Sequence, residues 1–195
     1  MTTGRRNPAW LARPRDRILE ATLRRAVRDG IGALSLQGIA DEAKVSKALL
    51  LYHFRDKDDI LATLITWVSE RVVGREAKAL EGSAPATVLE EMWKWVDHEI
   101  GEGELRVLVE LAGERGTRTR QANATSAGQR HEAAERTMAR VFELQRLSPP
   151  VPIPMLAAAE LAVREGLTLS AAREPGRMVR AAFDVFWLAL LRLAQ

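Results

Sequence analysis

The 195-residue chain, 47% hydrophobic and without cysteine, is long enough to bury one good core shared between a small and a larger helical unit, and it excludes a disulfide framework, thiolate zinc sites and a cysteine nucleophile. The net charge of +3 is unevenly spread: residues 1–60 hold 12 Lys/Arg against 8 Asp/Glu, and residues 61–195 hold 17 against 18, so the basic surplus sits in front, where phosphate binding needs it. The apolar run Val185 to Leu191, closed by Asp184 and Arg192, is far shorter than the ~20 residues of a membrane span, and the basic first 17 residues lack the apolar stretch of a secretory signal, so a cytoplasmic protein with no membrane partner is expected.

The pattern along the chain is helical throughout, with no alternating strand run bounded by hairpin turns. Ile18, Leu19, Thr22, Leu23, Ala26 and Val27 form one apolar stripe, and Gly30 ends it, which predicts a first helix over 14–29. Ser35 is placed to cap a helix of about two turns carrying Leu36, Ile39, Ala40 and Ala43 inward; Ser46 caps again, before KALLLYHF. Asp56 caps a fourth helix to about Leu80, with Asp59 in a capping-box position. After the EGSAP linker at 81–85, helices are expected at about 86–100, 104–114 and 121–146. The PPVPIP break at 149–154 precedes two more, at about 154–168 and 175–194. The fold class is all-α, about nine helices, divided into an N-terminal arm and three-helix unit over 1–56 and a larger helical domain over 57–195.

Two short helices joined by a three- to four-residue turn, the second basic and aromatic, have the form of a DNA-binding helix-turn-helix. The segment LSLQGIADEAKVSKALLLYHFRDKDDIL resembles the N-terminal domain of the tetracycline-repressor (TetR) family of regulators, through RILEAT at 17–22, the terminating Gly30, IADEAKVSK at 39–47, and YHF at 52–54 followed by Lys57. The likeness covers roughly residues 14–62, about a quarter of the chain. It implies a sequence-specific transcription regulator, a repressor released from a palindromic double-stranded operator by a small-molecule ligand.

Seven residues make up the expected DNA contact: Gln37, Lys47, Ala48, Leu49, Tyr52, His53 and Lys57. Lys47 opens the recognition helix and can meet a phosphate or a guanine edge; Gln37, near the start of the second helix, can add a further contact. Tyr52, His53 and Lys57 match family positions that hold the DNA backbone. Ile39, Ala43, Val45, Leu50 and Phe54 are expected in the core. Lys44 departs from the family pattern, standing where a glycine usually makes the turn, at a strain of ~1 kcal/mol if the backbone there is left-handed. Leu49 and Leu51 replace more polar residues; Leu49 can touch a thymine methyl but supplies no hydrogen-bonded base reading. Arg5, Arg6, Arg13 and Arg15 are candidates to carry the arm along phosphates or into the minor groove.

In the second domain, the helix from Met178 to Leu193 is apolar over most of its circumference, and MLAAAELAV at 155–163 offers small residues for close approach. By resemblance, these last two helices pair the subunits into a homodimer. Trp67, Met92, Trp93, Trp95, Met138 and Phe142 are the candidate lining of an apolar ligand pocket, with ordinary core as the alternative for each. His131 and Glu135, four apart, and His98 between Asp97 and Glu99 are the only hints of metal chemistry. No zinc motif, phosphate loop or nucleophile elbow accompanies them, so neither an enzyme nor a cofactor is expected. The competing readings are a non-sensing, low-specificity DNA binder and, further off, a metal-dependent enzyme.

Overall fold

The computed structural model describes residues 13–194, which form nine α-helices and one 3-10 turn. The arm residues Arg5 and Arg6 lie outside this range. Helix α1 (Pro14–Asp29) starts on a proline, whose missing N–H costs nothing at that position, and stops at Gly30, whose φ of 80° suits a residue without Cβ. A single 3-10 turn (Ile31–Ala33), absent from the sequence expectation, leads into α2 (Leu36–Ala43) and α3 (Lys47–His53). Both serine caps form: Ser35 Oγ accepts from the N–H of Gly38 and Ser46 Oγ from that of Leu49, each at 3.1 Å. Lys44, between them, is left-handed at φ 55° and ψ 47°. Buried Ile18, Leu19, Ile39, Ala43, Leu50 and Phe54 hold these three helices together, with Val45 packed at the edge.

Helix α4 (Lys57–Ala79) begins at Asp56, whose carboxylate accepts from the N–H of Asp59 at 2.9 Å. The reciprocal half of the capping box is displaced, because Asp59 reaches back to the N–H of Arg55 instead of Asp56. The remaining helices are α5 (Val88–Glu102), α6 (Glu104–Ala112), α7 (Thr117–Gln145), α8 (Ile153–Ser170) and α9 (Gly176–Leu193). The largest departure from the sequence expectation is α7, which starts four residues early. Its first free amides, those of Arg118 and Thr119, are satisfied by the Asp58 carboxylate of α4, at 3.1 Å each.

Helices α4 and α7 form the most extensive pair among the described residues. They run parallel, in a register that brings Asp58 against Thr119 at one end and Glu76 against Thr137 further along. Helices α5, α6 and α8 pack around this pair, and α9 closes the far side against α5 and α8. Inside lies a buried polar group: Arg164 donates to Glu76 at 3.0 Å and to Glu160 at 2.6 Å, and Thr137 donates to the second oxygen of Glu76 at 2.8 Å. Burial pushes the Glu160 carboxyl up, against the pull of Arg164, and the nearby Glu76 adds to the rise. A second buried pair of acids, Glu99 and Glu104, shares Arg75, whose guanidinium is held charged first by its hydrogen bonds to Glu99. No helix among the described residues is long and apolar enough to cross a membrane.

Candidate nucleic-acid interface and its connection to the body

Helix α3 is anchored by Leu50, fully buried, and by Phe54 immediately after its end, so its opposite face looks outward. Lys47 and Ala48 are exposed, Leu49 and His53 are half-buried, and Tyr52 is 83% exposed with its ring edge-to-face against His53 at 5.2 Å. Lys57 occupies the first turn of α4, half-buried. Gln37 is exposed on α2, where its amide already donates to Asp41 at 2.8 Å. Lys44 and Lys47 lie just before α3 and at its first residue, and Arg55 and Lys57 follow its end, with Lys44, Lys47 and Arg55 exposed and Lys57 half-buried. Cations and donors arranged around an outward-facing short helix suit the phosphates flanking a groove.

Of the acids in this region, Asp41 stays on α2 beside Gln37, while Glu42, Asp56 and Asp58 are engaged by other helices. Glu42 is engaged by Arg24 and Arg28, at 3.3 and 3.2 Å, on the α1 side of the unit. Asp56 and Asp58 bind the start of α7: Arg118 pairs with Asp56, and Thr119 donates its hydroxyl to Asp58 at 2.6 Å. The Thr119 hydroxyl and the two backbone amides hold the Asp58 carboxyl below the ordinary carboxylate range, and Arg118 does the same for Asp56. A Cβ added at Gly116 would lie 1.8 Å from an Asp58 oxygen, so only glycine permits this approach. A second clamp ties α6 to the end of α1: Arg106 donates to the carbonyl of Val27, and Glu110 accepts from the N–H of Ile31 at 3.1 Å. The orientation of α3 relative to the body is therefore set at two places.

Neither clamp was legible in the sequence, since Asp58 reads as an ordinary dipole-favouring acid and Arg118 as a surface charge. The buried triad left a faint trace, because Glu160 and Arg164 are spaced i, i+4 in an otherwise apolar stretch.

Of the six candidate pocket residues, Met92, Trp95, Met138 and Phe142 are buried in the main core. Trp93 packs on Phe183, at 5.2 Å, under the guanidinium of Arg180. Trp67 lines a groove of ≈ 430 Å³ between α1 and α4, its ring covered by Arg71 at 4.5 Å. A separate cavity of ≈ 280 Å³ opens between α4 and α7, lined by Val73, Ala77, Leu80 and Ala133 with Glu76 and Thr137 at its polar side. Trp95 Nε1 and Arg164 Nε are buried donors with no partner among the described residues, and the Arg164 guanidinium lies 4.7 Å from the Trp95 ring. His131 and Glu135 meet at 3.2 Å, and no group of three or more metal-binding side chains gathers among the described residues.

Two short capped helices around a left-handed turn, set on an all-helical body, form a helix-turn-helix of the kind that lays its second helix in a DNA groove. Residues 18–64 match the family model of the bacterial regulatory proteins, tetR family. Over 76 residues the chain is 36% identical to the HTH-type transcriptional regulatory protein RaaS of Mycobacterium tuberculosis, a stretch that is 39% of this chain and 35% of that protein. The chain thus spans about a third of the length of this curated relative. A TetR transcription regulator from Haloarcula marismortui shares the fold over 93% of this chain and 98% of its own, with a TM-score of 0.74 at 18% identity. The transcriptional regulator FadR from Bacillus subtilis, solved in complex with stearoyl-CoA, does so over 87% and 96%, with a TM-score of 0.67 at 13% identity. The tetR-family match thus covers the N-terminal helices, and the rest of the chain shares the fold of these solved regulators.

Proposed function

We propose that the protein is a dimeric, sequence-specific repressor in which residues 1–56 bind a palindromic operator and residues 57–195 dimerise and bind a small-molecule effector that releases the DNA. The observation that carries the DNA half of this reading is the outward face of α3, where Lys47, Ala48, Leu49, Tyr52 and His53 cluster, with Gln37 and Lys57 at its margins and the core residue Leu50 behind. Tyr52, exposed and with no acceptor for its hydroxyl among the described residues, presents that hydroxyl to a phosphate. The test is operator affinity after Tyr52→Phe, which removes one oxygen from the surface. Affinity falls while the unfolding transition stays in place; unchanged affinity sinks the phosphate assignment.

Dimerisation through α8 and α9 is supported by an exposed apolar surface on both. Helix α9 turns Val179, Phe183, Trp187 and Leu190 inward and leaves Met178, Val185 (64% exposed), Leu188 (61%) and Leu193 outside. On α8, Met155, Ala159, Ala162, Gly166 and Leu169 form an exposed stripe of small and apolar residues at helical spacing. A contiguous apolar face of this kind belongs against another subunit.

The effector site is assigned to the body, with Trp67, Met92, Trp93, Trp95, Met138 and Phe142 as the candidate residues. The two buried donors without partners, on Trp95 and Arg164, support this placement, because a ligand acceptor would satisfy them. The acyl-CoA bound by the Bacillus subtilis relative supports ligand binding as a class of behaviour for such a body. An effector weakens DNA binding by preferring the form of the dimer that does not fit the operator. A broad chemical panel that leaves operator affinity unchanged throughout counts against the sensing half.

A further inference from the structure

We infer that α3 reads its operator chiefly through the C5-methyl groups of thymine, by an apolar patch of Ala48, Leu49 and Leu51. This rests on the reading of α3 as the major-groove helix and specifies what that helix recognises.

The geometry follows from one anchor. With Leu50 fully buried and residues turning by about 100° each, Ala48 and Tyr52 point directly away from the core, and Leu49 and Leu51 flank them on either side. Leu51 is 41% exposed, a large aliphatic side chain held at the surface of the three-helix unit. Every polar side chain of Lys47–His53 is a Lys, a Tyr or a His. The helix therefore carries no amide to pair with adenine and no carboxylate to accept from cytosine. Lys47 can reach a guanine or a phosphate from the first turn, and Tyr52 and His53, edge-to-face with one another, sit at the last turn. The outward face thus carries Ala48 beside Tyr52 at its middle, with the aliphatic side chains of Leu49 and Leu51 at its two edges.

In the major groove only thymine among the four bases offers an apolar group. The occupant is set by the flanking charge: Lys44 and Lys47 precede and open the helix and Arg55 and Lys57 follow it, which suits a polyanion and would disfavour an apolar protein partner. Duplex DNA supplies phosphates for the flanking charge and methyl groups for the patch. Apolar contact also tolerates small shifts that would break a bidentate hydrogen bond, so the operator half-site should be defined by where thymines fall.

The experiment uses the full-length protein. Duplexes are selected from a random pool, and the enriched sequence is resynthesised with deoxyuridine in place of thymidine at one position at a time, which removes the methyl group and leaves every hydrogen-bonding group in place. Two or more positions in each half-site should raise Kd about fourfold each, the value of one buried methyl group. Leu51→Ala should bring the thymine-to-uracil ratio at its contact position close to one, whereas Lys47→Ala should weaken thymine and uracil duplexes equally. Leu51 is at the surface, so its variant keeps the wild-type unfolding transition. An enriched sequence whose affinity is indifferent to uracil at every position overturns the methyl reading and leaves operator binding standing. No enrichment at all overturns the DNA-binding assignment of α3 and the inference with it.

Discussion

Replacing Asp58 with alanine separates two accounts of how the DNA-binding unit is held to the body. The Asp58 carboxylate accepts from the N–H groups of Arg118 and Thr119 and from the Thr119 hydroxyl, and Thr119 is 1% exposed. Losing a cap from a helix N-terminus costs about 0.5–2 kcal/mol. The Thr119 hydroxyl, left with a weak contact to the Asp58 carbonyl at 3.4 Å, adds about 1 kcal/mol as a buried polar group short of a partner. The sum is ~1.5–3 kcal/mol, which in a protein of this size lowers Tm by roughly 3–12 °C. Arg118→Ala removes only ion pairs that are open to solvent on the arginine side and keeps the backbone amides on Asp58, so it should cost clearly less than Asp58→Ala. Thermal and denaturant unfolding of the two variants, followed by far-UV circular dichroism, gives the comparison. If Arg118→Ala costs as much as Asp58→Ala, the seam is held by surface charge and the capping argument is wrong.

Three further outcomes follow from the same reasoning. Lys44→Gly relieves the ~1 kcal/mol left-handed strain at φ 55° and, after the ~0.4–1 kcal/mol of entropy that glycine adds to the unfolded chain, should stabilise the protein by at most about 0.6 kcal/mol in denaturant unfolding. Val185→Glu with Leu188→Glu places charge on the exposed apolar face of α9 and should convert the dimer to monomers in sedimentation velocity, with operator affinity falling in parallel. Asp56 and Asp58 are held below their ordinary values by the Arg118 and Thr119 hydrogen bonds, so their contribution is complete above about pH 4 and is lost as pH falls through the lowered values. Unfolding measured at decreasing pH below about pH 4 should show a shallower loss in Asp58→Asn than in the wild type.

The DNA-binding unit was largely legible because its determinants are local. Ser35, Ser46 and Asp56 each cap the helix that follows them in sequence, and the left-handed Lys44 is fixed by the two-helix geometry on either side of it. The body was legible as a set of helices, and their ends were displaced wherever a tertiary partner decided them. Helix α7 extends back to Thr117 because Asp58, 60 residues earlier, satisfies its first amide, and Gly103 makes the turn into α6 against Val27 of α1. The tryptophans and methionines of the body look alike in sequence whether they line a pocket or fill a core. Packing put Met92 and Met138 in the core and Trp67 at a groove, a distinction carried by contacts between distant helices and by no local pattern.

The central claim, that a dimer of this chain recognises a specific two-fold site, is tested most directly by selecting duplexes from random DNA at physiological salt and measuring the stoichiometry of the complex by sedimentation. The account predicts enrichment of an inverted repeat, its half-sites presenting successive major grooves ~34–36 Å apart and occupied by one or two dimers. Equal, salt-sensitive affinity for every duplex, or a single monomer on the enriched site, would contradict it.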